Sequence, residues 1–118
     1  MRIIRACREL GMTTVAVYSD ADAGAQHVLA ADKAVRIGPA PATQSYLSMD
    51  LIVEAALAAG AQAIHPGYGF LAERAAFAET VRSAGLVFVG PAPSTIAALG
   101  DKLGARRLAA DIGVDPVP

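Results

Sequence analysis

The chain has 118 residues, 54% of them hydrophobic, and 10 Lys and Arg against 11 Asp and Glu give a formal net charge of −1. That length admits one domain of modest size, and the apolar content argues for a packed core and against disorder. The near-neutral balance gives no electrostatic ground for a nucleic-acid or anionic-membrane partner, and one cysteine, Cys7, makes no disulfide framework within the chain, as suits a reducing compartment.

The first segment, RIIRACRELG, has helical periodicity, with Ile3, Ala6, Cys7 and Leu10 on one face and Gly11 placed to stop it. TTVAVYS follows, β-branched and apolar, the pattern of a strand buried on both faces. Asp20 to Ala31 is polar and then weakly helical, with His27 on it, and KAVRIG reads as a second strand closed by the loop PAPATQ. Ser48 is placed to cap a helix from Met49 to Ala59 with Gly60 as its stop. AQAIH is a third strand, Glu73 to Ala84 a helix stopped by Gly85, and LVFVG a fourth strand. Ser94 is placed to cap TIAAL, Gly100 interrupts, LGARRLAADIG forms the last helix, and Pro116 and Pro118 leave an extended end. LIVEAALAAGAQAI is the greasiest stretch, and Glu54, Gly60 and Gln62 break it well short of a membrane span. With no charged-then-apolar leader at the start, the expectation is a soluble cytoplasmic domain.

Strand and helix in alternation at this spacing call for right-handed crossovers and a parallel sheet. The fold expected is α/β, a Rossmann-like three-layer parallel sheet. Such a sheet begins with a strand near its centre, whereas here the helical pattern is already running at Arg2. The reading is therefore a domain over residues 1–118 that lacks its first central strand, truncated at its start, with a further domain following it.

In an open parallel sheet, ligands lie at the carboxyl ends of the strands. HPGYGFLAER, residues 65–74, lies there, and Gly67 and Gly69 would let its backbone approach a ligand. The alternative is a tight turn in which Tyr68 and Phe70 pack as a hydrophobic plug. Lys102, after Gly100 and Asp101, stands at a helix start, where the macrodipole disfavours a cation unless a phosphate or a capping Asp101 offsets it. Arg5 and Glu9 are four apart on one helix, spaced for a solvent-exposed ion pair or a subunit contact. His27 and His65 have no second metal ligand at a recognisable spacing, Cys7 reads as a small core residue, and there is no Ser-His-Asp signature, Walker loop or GxGxxG.

HPGYGFLAE, together with ELGMTTVAVYSDAD, HVLAADKAVRIGPAP, SYL, GLVFVGP and GDK in that order, resembles the N-terminal domain of biotin carboxylase. That resemblance implies a Rossmann-like unit preceding an ATP-grasp domain, in an enzyme that uses ATP and bicarbonate to form carboxyphosphate and then carboxylates biotin. It implies ATP contact at Lys102, a wall of the biotin and bicarbonate pocket at Tyr68 and Gly69, and a homodimer interface at Arg5 and Glu9; His65 and Pro66 would only shape the turn. The catalytic residues and the ligands of Mg²⁺ or Mn²⁺ would lie in the ATP-grasp remainder, so the chain alone would be inactive. The further partners implied are a biotin carboxyl carrier domain and a carboxyltransferase. One departure stands out: the family's SEN is Ala72-Glu73-Arg74 here. Alanine at 72 could not cap a helix beginning at Glu73, at a cost of about 1 kcal/mol, and Arg74 puts a cation where an amide is expected. Two other readings remain open: the equivalent domain of another ATP-grasp ligase, against which GYGFLAE and GDK argue, and a stand-alone Rossmann-type binding module.

Overall fold

The structure, a computed structural model, describes residues 1–115; the extended end expected at Pro116 and Pro118 lies outside them. In chain order the elements are α1 (Arg2–Glu9), β1 (Val15–Ser19), α2 (Gln26–Ala30), β2 (Lys33–Gly38), α3 (Met49–Ala58), β3 (Ala63–Ile64), α4 (Ala75–Ser83), β4 (Val87–Phe88), α5 (Pro93–Gly100) and α6 (Lys102–Asp111). Single 3₁₀ turns at Asp20–Asp22 and Ala42–Gln44 follow β1 and β2.

The alternation is as expected, and both strand pairings are parallel. The sheet itself is divided. β1 pairs with β2 and β3 with β4, and no ladder joins the two pairs among the described residues. The strands AQAIH and LVFVG shorten to two residues each, in register Ala63 to Val87 and Ile64 to Phe88. A ladder with one partner on one edge gives these segments little to extend along.

β1 is not buried on both faces. Val15 to Tyr18 are half-buried and Ser19 alone is fully enclosed, because α1 buries none of its residues and does not close over the strand. Cys7 is accordingly half-buried rather than a core residue. The main core lies between Val53 and Ile96, where Val53, Leu71, Phe77, Val81, Leu86, Phe88 and Ile96 form one cluster. Phe77 and Phe88 meet edge to face with ring centroids 6.0 Å apart, and burial of side chains such as Phe77 and Val81 stabilises the fold by about 1.5–3 kcal/mol each. The Cα radius of gyration is 16.1 Å, against about 13.5 Å for a compact domain of this length.

Helix boundaries follow their caps. Ser48 caps α3 as expected, its Oγ accepting from the Leu51 amide at 3.4 Å. α4 begins at Ala75, two residues later than expected, with Arg74 at its N-cap and no side-chain capping bond. Residue 72 belongs instead to the preceding turn, where its amide donates to the Gly69 carbonyl at 2.9 Å. The uncapped position is therefore Arg74, not Ala72. Ser94 does not cap α5 either. The helix starts two residues earlier at Pro93, with Ala92 as N-cap, since proline at the first helical position needs no amide partner.

Candidate functional site

The two strand pairs place their following loops at their carboxyl ends. β1 and β2 run in register from Val15–Lys33 to Tyr18–Arg36, and then a bulge sets Ser19 opposite Gly38. At this bulge the Ser19 amide donates to the hydroxyl of Tyr46 at 2.9 Å. The hydroxyl in turn donates to Asp22 Oδ2 at 2.5 Å. Beside it Arg36 clamps Asp20 in two parallel bonds, Nε to Oδ1 at 2.6 Å and Nη2 to Oδ2 at 2.8 Å. That hydrogen-bonded guanidinium holds the Asp20 carboxyl below its ordinary value, though both side chains are about half exposed, 55% and 52%, and such a pair adds little to stability.

The loop carrying Tyr46 is fixed by close approach. A side chain on Gly38, whose φ is 155°, would overlap the backbone carbonyl of Gln44, and Ser45, fully buried, donates its hydroxyl to the Pro41 carbonyl at 3.0 Å. From that loop the Tyr46 ring reaches the turn after β3 and lies on Phe70, with centroids 5.1 Å apart and planes at 32°.

The turn after β3 holds three left-handed residues, with φ of 70° at Gly67, 74° at Gly69 and 46° at Phe70. Two glycines meet this conformation at no cost, whereas Phe70 is the one non-glycine residue of the described chain to adopt it. His65 shapes the turn as expected: its Nδ1 accepts from the Gly67 amide at 3.0 Å. The hydrophobic-plug alternative is not met. Tyr68 is 100% exposed and Phe70 57%, and the turn is anchored to the core by Leu71, which is 6% exposed. Tyr68 thus stands at a strand's carboxyl end with its whole side chain available.

The remaining expected residues lie apart from this turn. Lys102 is the first residue of α6 and exposed, and Asp101 before it is the N-cap, its Oδ2 accepting from the Gly104 amide at 2.8 Å. No hydrogen bond or ion pair holds Lys102 among the described residues. Arg5 and Glu9 are both exposed on α1 and do not pair with each other, since Asp20 and Arg36 form the one ion pair of the described residues. No group of three or more His, Cys, Asp or Glu stands together to hold a metal among the described residues, and no helix of the described chain is long and apolar enough to cross a membrane. Reading the sequence by spacing gave no part to Tyr46. It sits in a loop between a strand and a capped helix, within the SYL that the family resemblance includes, and its local signal was an aromatic residue inside the stretch ATQSYLS.

A parallel α/β scaffold with a glycine-rich turn at a strand's carboxyl end defines a Rossmann-like class of domain, and comparison with known proteins places the chain within it. Residues 1–96 match the family model of the biotin carboxylase N-terminal domain, and the chain belongs to that family. It is 57% identical over 117 residues to the mitochondrial methylcrotonoyl-CoA carboxylase subunit alpha of Oryza sativa subsp. japonica, covering 99% of this chain and 16% of that protein. It is 55% identical to the biotin carboxylase of Allochromatium vinosum over all of its length and 26% of the relative. Among solved structures, the biotin carboxylase domain dimer of Hydrogenobacter thermophilus 2-oxoglutarate carboxylase, in complex with MgADP, ADP and bicarbonate, superposes with a TM-score of 0.92 at 46% identity, over 99% of this chain and 26% of that one. The fold is therefore the Rossmann-like domain of biotin carboxylases, and the chain spans about a quarter or less of the relatives it matches.

Proposed function

We propose that this chain forms the N-terminal domain of a biotin carboxylase, an ATP-dependent ligase that carboxylates biotin with bicarbonate. The observation that supports this most directly is the identity of 55% with a biotin carboxylase over the full chain, together with an exposed, backbone-shaped turn at the carboxyl end of β3. In this reading Tyr68 and Gly69 form one wall of the biotin and bicarbonate pocket. The glycine, left-handed and without a side chain, lets a small ligand reach the backbone, and the tyrosine offers a flat apolar face and a hydroxyl. Lys102 presents an unpaired ammonium to the phosphates of ATP. Arg5 and Glu9, unpaired on an exposed helix, lie in a homodimer interface.

We assign the ligands of Mg²⁺ or Mn²⁺ to the ATP-grasp part of the same enzyme. This chain's own contribution is to bind and orient, by placing a cation at the nucleotide and a rigid wall at the acceptor. A biotin carboxyl carrier domain and a carboxyltransferase are the partners that bring biotin and take its carboxyl group onward. We place the enzyme in the cytoplasm, on the reducing chemistry that a lone free thiol suits. ATP-dependent incorporation of radiolabelled bicarbonate into free biotin by the intact enzyme is the expected result. Its absence, with ATP still consumed on another acceptor, would favour a different ATP-grasp ligase.

A further inference from the structure

The turn that presents Tyr68 and Gly69 is held at three places. Leu71 is seated in the core, the Gly67 amide is tied to His65, and Phe70 lies against the ring of Tyr46. The third hold differs from the others because it comes from the opposite strand pair. Tyr46 is fixed at both ends. Its backbone belongs to the loop pressed against Gly38, and its hydroxyl both accepts from the Ser19 amide and donates to Asp22. With an N–H already directed at the oxygen, its proton has one place to go, the Asp22 carboxylate, and ring orientation follows from that. Phe70 needs such a seat. A left-handed non-glycine residue with a half-exposed side chain does not keep that conformation unaided, and its two neighbours on the amino-terminal side are Tyr68 and Gly69.

We propose that Tyr46 is a positioning residue for biotin: through Phe70 it sets the placement of the Tyr68–Gly69 wall, and Asp22 and Ser19 set the placement of Tyr46. The inference rests on the reading of Tyr68 and Gly69 as that wall. It makes the carboxyl end of β1, far along the chain from the turn, part of the apparatus that orders the acceptor pocket, while the nucleotide side at Lys102 stays independent of it.

The test compares Tyr46→Leu, Tyr46→Phe, Phe70→Leu, Tyr68→Ala and the double variant Tyr46→Leu/Tyr68→Ala in the intact enzyme, reading KM for free biotin and KM for ATP. Tyr46→Leu removes the ring seat and should raise the biotin KM about tenfold with the ATP KM unchanged, and Tyr46→Phe, which keeps the ring but loses its bonds to Ser19 and Asp22, should raise it by less. Phe70→Leu, which removes the same stack from an exposed position without touching the Asp22 bond, should behave as Tyr46→Leu does and serves if that variant does not fold. On the Tyr68→Ala background the effect of Tyr46→Leu should vanish, because the wall it positions is gone. If Tyr68→Ala alone leaves the biotin KM unchanged, the wall reading itself fails. If Tyr68→Ala raises it but Tyr46→Leu and Phe70→Leu leave it unchanged, add to it independently, or raise both constants alike, the positioning role is overturned and Tyr46 is a structural residue only.

Discussion

Thr14 and Asp32 close a reciprocal pair at the entrances of β1 and β2: Asp32 Oδ2 accepts the Thr14 amide at 2.7 Å and its hydroxyl at 2.8 Å, and the same hydroxyl accepts the Asp32 amide at 3.1 Å. The bonds from Thr14, the backbone one foremost, lower the pKa of Asp32. A lowered carboxyl favours the folded state above its unfolded value of about 3.9 and loses that advantage as the pH falls through the folded value. Asp32→Asn should therefore lower the urea midpoint near neutrality, and the gap from the parent should close as the pH is brought from about 6 to about 2. A gap that stays constant over that range would mean that the pair does not contribute through the charge of Asp32.

Arg74 makes a prediction of the opposite sign. Its backbone, φ −98° and ψ 109°, already has N-cap geometry, but its side chain caps nothing and puts a cation at the positive end of the α4 dipole. Arg74→Asn should stabilise the first turn of α4 by about 0.5–2 kcal/mol. Slower hydrogen exchange of the amide at Ala76 would show it, and unchanged exchange would mean that water already satisfies that donor as well as asparagine does.

Lys102 carries the nucleotide half of the proposed function. A charge-assisted contact with a phosphate is worth about 1.5–3 kcal/mol. Lys102→Gln should then raise the apparent KM for ATP by roughly 10- to 100-fold in the intact enzyme. An unchanged constant would leave Lys102 as a solvated residue beside a well-capped helix start.

Arg5 and Glu9 concern assembly. Their lack of any ion-pair partner among the described residues leaves both charges free for another subunit. Arg5→Glu should shift the intact enzyme towards monomer at low concentration, as a sedimentation equilibrium would record. The same dimer in both proteins would place the two residues outside the interface.

The legible parts of the fold were those set by local chemistry. KAVRIG forms a strand over just those residues, and Ser48 caps the helix it precedes. What failed to show was decided by neighbours. The strand at residues 61–65 reads as apolar and buried, but its length depends on a ladder partner that no local pattern encodes. The late start of α4 turns on Ala72 being drawn into the turn by the Gly69 carbonyl. In the site, Gly67 and Gly69 announced a backbone need, whereas Phe70 adopts the same left-handed region with no compositional sign of it. Tyr46 was hidden for a related reason: its hydroxyl partners stand 24 and 27 positions away in sequence, so its part emerges only once β1 and β2 are paired.

The buried cluster draws all its members from Val53 to Ile96, and α1, β1 and β2 supply none of them. Contacts so near one another in sequence close small loops at low entropic cost. The β1–β2 ladder closes a loop as short, from Val15 to Lys33, so the two regions are each ordered by contacts of their own. Destabilising substitutions should then divide by region: those at Phe77 or Val81 loosen the cluster, whereas those on β1 or at Thr14 loosen the strand pair. The Tyr46–Phe70 contact joins the two, so loosening the β1–β2 pair should free the turn at Phe70 while the cluster stays closed.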